Sequence, residues 1–196
     1  QLGGSTVTEG DTRDLLVKDI YPNKPAKDIQ MVKNLNEALK YVLNNLDLDI
    51  NQSVIKEINK LILFGLHAHA GKYKINQNKI QGNPLFKTAP PGKVSVLMQE
   101  FCDKIKNLNT REKCLNNLGK IHNDLQRIHP FADGNSRTTR LVLNWILLIH
   151  DLPIVVFKMG SFDEYMFLTK LSNKRDDDEL NQLLLELIVH EELHKN

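Results

Sequence analysis

Residues 129–140 read His129-Pro130-Phe131-Ala132-Asp133-Gly134-Asn135-Ser136-Arg137-Thr138-Thr139-Arg140, and they separate two different helical patterns. Upstream, Cys114, Leu118, Ile121, Leu125 and Ile128 recur at spacings of three and four, which marks one apolar helix face. Downstream, residues 141–149 are apolar at nearly every position, which predicts a helix buried all round. Pro130 disfavours helical geometry at His129, so the first helix is expected to end there and to project His129 into a loop. Gly134 and Asn135 suit a tight turn whose backbone N–H groups converge. A turn of that kind leading into a helix N-terminus is an anion site.

The charges sharpen this. Arg137 and Arg140 fall on one face of the first helical turn. Cations there are unfavourable by about 0.3–1 kcal/mol each, so a pair on one face implies a bound anion or a carboxylate from elsewhere in the chain. The planar guanidinium suits phosphate bidentately. Asp133 offers a hard oxygen ligand beside that anion, which suits Mg²⁺ bridging phosphates. His129 titrates near neutrality and is a candidate base. Singly, these residues read equally well as a helix stop, a turn former and surface charges. Together within one short stretch they point to phosphoryl or nucleotidyl transfer.

The rest of the chain is consistent with one helical body. A length of 196 residues fits one domain, or one with small appendages, and 41% apolar content is enough for a core. Twenty-six Lys and Arg against 24 Asp and Glu leave a net charge of +2, which argues against a dedicated nucleic-acid or membrane binder. Cys102 and Cys114 lack Cys-x-x-Cys spacing, so a zinc cage is not expected and a reducing, cytoplasmic setting is the default reading. The longest apolar stretch falls well short of the roughly 20 residues of a spanning helix. Residues 1–5 show no basic-then-apolar leader. They also lack an initiator Met, which leaves residues upstream of Gln1 open.

Further helices are expected from Val32, Leu35, Leu39, Val42 and Leu46, from Val54 to Ile62, from Val94 to Leu108, near Phe162 to Leu171 and near Glu179 to Leu193. The run Asp176-Asp177-Asp178-Glu179 suits the N-terminus of the last one. Residues 71–91 break the pattern with Gly, Asn and Pro and predict a small β-hairpin or flap. A Pro-rich loop at residues 21–25 separates an N-terminal piece, 1–25, from the main body, 26–196.

The twelve-residue stretch resembles the motif of the Fic (filamentation induced by cAMP) family, His-x-Phe-x-Asp/Glu-Gly-Asn-Gly-Arg-x-x-Arg, at every defined position but one. The resemblance implies an all-α Fic fold with a small β-hairpin flap. It implies an adenylyltransferase that moves AMP from ATP, with Mg²⁺, to a Ser, Thr or Tyr hydroxyl of a protein target, itself included. In that scheme His129 deprotonates the hydroxyl, Phe131 anchors the loop and Asp133 holds Mg²⁺. Gly134, Asn135 and the Ser136 backbone cradle phosphates, Arg137 binds the distal phosphates and Arg140 the γ-phosphate. The flap, with Lys72, Tyr73, Lys74 and Ile75, aligns the target as an added strand. The departure is Ser136, where the family has Gly: a side chain stands where backbone should approach phosphate. Doc toxins, a related branch, carry Lys there and transfer phosphate. AMP transfer and phosphotransfer therefore both stay open, with a decayed binding module as a third reading.

The N-terminus, Ser5-Thr6-Val7-Thr8-Glu9-Gly10, is similar to the family's inhibitory motif, Ser/Thr-x-x-x-Glu-Gly/Asn. That similarity implies a short helix that pairs Glu9 with Arg140 and so blocks the γ-phosphate. The residues leave open whether such a brake is released by a partner, by self-modification or by dissociation of a homo-oligomer. Two other signals compete. His190-Glu191-Glu192-Leu193-His194 fits a zincin pattern but has no third ligand downstream. His67 and His69, two apart, suit a helix end better than a metal site. His122, two turns before His129, is expected to be structural or to line the same groove.

Overall fold

The computed structural model describes residues 6–80, 82–172 and 174–194. In chain order come α1 (Glu9–Lys18), α2 (Ala26–Leu43), α3 (Gln52–Ile62), α4 (Val94–Lys106), α5 (Arg111–Leu115), α6 (Leu118–Ile128), α7 (Asn135–Leu148), α8 (Met159–Met166) and α9 (Asp177–Leu193). A π-helical turn, Phe167–Leu171, continues α8. Local chemistry sets the starts. Asn51 accepts the Ser53 and Val54 N–H groups to open α3, and Asp176 accepts the Glu179 N–H to open α9. The clean stripe before the motif is split in two. Asn116 and Asn117 interrupt it, so Cys114 lies on α5 and Leu118 on α6, both fully buried.

Helix α7 is the centre. It packs against α2, α3 and α6, and α6 in turn packs against α4 and α9. Leu141, Val142, Leu143, Trp145, Ile146 and Leu147 are all buried, as their unbroken apolar run predicts. Each such side chain removed from water contributes roughly 1.5–3 kcal/mol. Asn144 is the polar exception. Its amide accepts from the Val155 N–H at 2.8 Å and donates to the Val155 carbonyl at 3.2 Å, which ties the segment after α7 back onto it. Gly119 lets α6 and α9 touch: a Cβ there would lie 2.1 Å from the Asp177 carbonyl oxygen.

Helix α1 docks on α2. The Thr6 backbone N–H and hydroxyl both donate to Asp28 Oδ2, at 2.8 and 2.7 Å, while Val7 and Leu15 pack on Val32 and Ile29. The expected hairpin does not form among the described residues. Residues 71–91 carry only isolated bridges, Tyr73 with Phe131 and Ile80 with Asn83. The backbone groups that a ladder would pair go elsewhere. The Lys74 N–H donates to the Pro130 carbonyl at 2.8 Å and the Ala89 N–H to the Arg127 carbonyl at 3.1 Å. This segment is therefore glued to the end of α6 and to the motif loop rather than to itself. No helix among the described residues is long and apolar enough to cross a membrane.

Candidate active site

Helix α6 ends at Ile128, and His129 caps it in the left-handed region, φ 48° and ψ 57°. A non-glycine residue held there stores strain of about 1–3 kcal/mol, so its surroundings must impose it. They do. The His129 N–H donates to the Leu125 carbonyl at 3.0 Å, and the His129 carbonyl accepts from Asn78 Nδ2 at 3.1 Å. His129 Nδ1 lies 3.1 Å from the Gln126 carbonyl oxygen. A carbonyl can only accept, so Nδ1 carries the proton and Nε2 keeps its lone pair. Burial pushes the imidazole down to about 4, assisted by Lys74 and Lys170 and opposed by the Gln126 carbonyl and Asp133. It is neutral at physiological pH.

The loop after it is fixed by side chains. Phe131 is buried and packs against Tyr73, with ring centres 5.6 Å apart. The Asn135 side chain accepts the Phe131 N–H at 2.9 Å and donates to the Phe131 carbonyl at 2.8 Å. Its amide is thus spent on closing the loop, and only its backbone N–H, at the start of α7, is left for an anion. Gly134 takes φ +74°, and a Cβ there would stand 3.1 Å from Asn59 Nδ2 and 3.3 Å from Leu63 Cγ. Fully buried Asn59 on α3 donates to the Asp133 carbonyl at 3.0 Å and to Thr138 Oγ1 at 3.2 Å, and accepts the Gly71 N–H at 2.9 Å.

The charged groups then converge. Asp133 Oδ1 accepts the Gly134 N–H at 2.6 Å and stands 3.6 Å from Arg137 Nη2, with more than half of its side chain exposed. The Arg137 side chain is mostly buried, and its Nη1 has no hydrogen-bond partner among the described residues. The guanidinium of Arg140 lies 5.9 Å from the centre of the Tyr165 ring. Ser136 Oγ accepts a weak bond, 3.4 Å, from Gln126 Nε2. Asp133, Gly134, Ser136, Arg137 and Arg140 open on one cavity of about 560 Å³, walled by residues 132–137 with His129 and Arg140, by Phe162, Met166 and Lys170, and by Lys79 and Ile80. His129, Asp133, Gly134, Asn135, Ser136, Arg137 and Arg140 of the motif thus share one cavity.

The residues singled out in the expected flap lie apart from this cavity. Lys72, Tyr73, Lys74 and Ile75 do not line this cavity, whereas Lys79 and Ile80 do. Lys74 is buried: its Nζ donates to Asn78 Oδ1 at 2.7 Å, to Thr88 Oγ1 at 3.2 Å and to the Ile128 carbonyl at 3.4 Å. The Tyr73 hydroxyl donates to Gln52 at 2.8 Å. Both are fastenings beneath the loop; Lys72 and Ile75 are exposed.

The expected pairing of Glu9 with Arg140 is also absent among the described residues. Thr8 caps α1 through a reciprocal bond with Asp11, and Glu9 is exposed in its first turn, where the helix dipole favours it. Glu9 opens on a cavity that shares Leu35, Leu39, Val156 and Phe157 with a neighbouring one lined by Arg137 and Arg140. The two groups thus face adjoining parts of one groove. Gly10 follows Glu9 on α1, and Ser5 lies outside the described residues.

The Fic/DOC family model matches residues 48–147, which run from before α3 to the end of α7 and contain the whole motif. The chain belongs to the Fic/DOC family. The protein adenylyltransferase Fic of Drosophila willistoni is 29% identical over 178 residues, covering 88% of this chain and 35% of that relative. The chain thus spans about a third of the length of the curated relatives it matches. Fic-1 from C. elegans aligns with a TM-score of 0.84 at 22% identity, covering 98% of this chain and 58% of the other. A Fic-domain-containing signaling protein from Bacteroides thetaiotaomicron aligns with a TM-score of 0.77 at 23% identity, covering 96% and 76%. At these identities the two structures establish the fold.

Around the Fic motif the structure adds residues that sequence reading passed over. Asn59 and Asn78 brace the loop from α3 and from the 71–91 segment, and no periodicity marks a buried Asn as a brace. His122 does not line the cavity. Its Nε2 lies 2.9 Å from the Tyr165 hydroxyl, and burial, with Arg140 and Lys170 adding to it, pushes its imidazole down to about 3. It stands behind Arg140 through the Tyr165 ring. Lys170, on the π-helical turn, faces the cavity with no sequence signal of its own.

Proposed function

We propose that this chain is a protein adenylyltransferase held in check by its N-terminal helix. The observation that carries the reading is the cavity that joins His129, the α7 N-terminus, Arg137 and Arg140, with the Nε2 lone pair of His129 free. The curated relatives bear the name of the same activity. His129 Nε2 takes the proton of a Ser, Thr or Tyr hydroxyl on the target. The hydroxyl oxygen bonds to the α-phosphorus of ATP, the bond to the bridging oxygen breaks, and pyrophosphate leaves. Arg137, Arg140 and the backbone N–H groups at the start of α7 hold the phosphates and take up the charge that develops on the leaving group.

Asp133 fits Mg²⁺ of a particular kind. It is a single exposed carboxylate beside the anion site, and among the described residues no trio of His, Cys, Asp or Glu stands together as an all-protein cage. One carboxylate completed by phosphate oxygens and water is the usual Mg²⁺ arrangement, and the ion supplies further charge neutralisation on the phosphates. Segment 71–80 is fastened to the motif loop through Tyr73 and Lys74, so a target strand laid along it, beside exposed Lys72 and Ile75, is held in register with His129. Residues 1–25 act as the brake. Glu9 competes for Arg140 through the groove they share, and α1 is fastened on the 26–196 body by Thr6 and Asp28.

The test is label transfer with ATP carrying label at the α or the γ phosphate, using Glu9→Gly with and without His129→Ala. Protein-bound α-label that rises in Glu9→Gly and vanishes with His129→Ala is the expected result. Equal labelling of wild type and Glu9→Gly at saturating ATP would refute the brake. Ser136 favours one second reading, because it lines the cavity with a side chain where the family motif has Gly: γ-label alone would make the chain a phosphotransferase. Mg·ATP binding with no transfer to the chain or to a lysate would indicate a decayed site.

A further inference from the structure

The cavity has a second cationic wall that the motif does not supply. Lys170 sits on the π-helical turn Phe167–Leu171 and lines the same cavity as Arg137, Arg140 and His129. Its backbone is held: Asn83 Nδ2 donates to the Lys170 carbonyl at 2.9 Å and to the Leu171 carbonyl at 3.2 Å. Its ammonium makes no hydrogen bond or ion pair to any other described residue, and it is only half exposed at most. With Lys79 the cavity gathers four cations, and Asp133 is the one carboxylate among its lining residues. Burial pushes Lys170 down to about 8, with Arg140 and Arg137 pushing the same way. Amines and guanidiniums crowded like this repel one another until an anion joins them. Arg137 Nη1, buried without a partner among the described residues, faces the same shortage of acceptors.

We propose that Lys170 is a phosphate ligand of the bound nucleotide, gripping the phosphate chain from the α8 side while Arg137 and Arg140 grip it from α7. The π-turn is what makes this possible. One extra residue in the helical turn shifts the register after Met166, and such bulges commonly re-aim a side chain at a functional site. The Asn83 bonds couple Lys170 to the segment that carries Lys79 and Ile80, so both walls outside the motif are set by one piece of chain.

This inference rests on the nucleotide reading of the cavity, and the test separates the two. ATP, ADP, AMP and adenosine are titrated calorimetrically into the full chain carrying Glu9→Gly and His129→Ala, which prevents turnover. Lys170→Gln is expected to weaken ATP about tenfold or more, AMP less and adenosine not at all, whereas Lys170→Arg stays within about threefold. A structural role would not scale with phosphate number or be rescued by Arg. The pH profile gives a second readout. Bound phosphate raises the Lys170 pKa, so ATP affinity in the Lys170 chain falls as pH rises from about 7.5 to about 9.5, and stays flatter in Lys170→Arg. The other groups facing the site, Arg137 and Arg140 of α7, Asp133, Lys79 and the buried His122 behind Arg140, are common to both chains, and His129 is replaced by Ala in both. Equal ATP affinity of Lys170→Gln and its parent, with Arg137→Ala weakened, overturns the Lys170 assignment and leaves the nucleotide reading standing. Loss of adenosine equal to loss of ATP moves Lys170 to the base or to folding, and also overturns it. Binding of no nucleotide by the parent overturns both readings.

Discussion

Replacing Asn59 with Ala isolates what the tertiary structure adds to the motif. Asn59 is fully buried on α3, yet it touches three separate stretches: the Asp133 carbonyl, the Thr138 hydroxyl and the Gly71 N–H, at 3.0, 3.2 and 2.9 Å. Each bond contributes about 1 kcal/mol net, and leaving buried partners unsatisfied adds to the loss, so Asn59→Ala should destabilise by about 3 kcal/mol or more. For a domain of this size that corresponds to a fall in Tm of roughly 6–12 °C. Function should suffer more than stability implies, because the same amide fixes the turn that aims Asp133 and starts α7. A displacement of about 1 Å there is enough to cost about a hundredfold in transfer rate. Asn59→Asp keeps the acceptor for Gly71 but loses both donated bonds and buries a charge, so it should be no better than Ala. The assays are calorimetric melting and α-label transfer in the Glu9→Gly background, measured well below the melting transition. A Tm within about 2 °C of the parent, with undiminished transfer, would refute the bracing role.

Two further outcomes follow from the buried histidines and from Ser136. His122 and His129 have folded pKa values of about 3 and about 4, below the ordinary 6.5. The unfolded chain therefore binds more protons between those values, so their contribution to stability is present above 6.5 and is lost as pH falls toward 4. Urea midpoints should drop across that window, and His122→Asn should flatten the drop; a pH-independent midpoint would contradict the burial argument. Ser136→Gly removes a single weak bond from Gln126 and opens the backbone at the second position of α7. It should raise ATP affinity and α-label transfer by up to about tenfold, at a stability loss of no more than about 1 kcal/mol; a fall in transfer would show that the hydroxyl takes part.

Much of this was legible because it is local. A period of three to four residues announced α2, α3, α4, α6 and α9, and an unbroken apolar run announced that α7 would be the core helix. Pro130 placed the end of α6, and Gly134 placed the turn before α7. Among the described residues the hairpin shows no ladder, for a reason also visible afterwards. Gly, Asn and Pro punctuation says that a segment is irregular, but not whether its free backbone groups pair with each other. Here the Lys74 N–H went to the Pro130 carbonyl and the Ala89 N–H to the Arg127 carbonyl instead.

The sequence by itself determined a helical domain carrying a Fic motif matched at every defined position but Ser136, because helix periodicity, a proline stop and a glycine turn act over a few residues. Only the tertiary structure decided which distant polar groups meet. It set Asn59 under the loop, turned Lys170 into the cavity through a π-turn, sank Lys74 beneath His129 and left Glu9 and Arg140 on adjoining parts of one groove without an ion pair. A lone buried Asn or Lys has no period. Its partners are fixed by how helices far apart in the chain pack, and the strength of each contact depends on the burial that this packing creates.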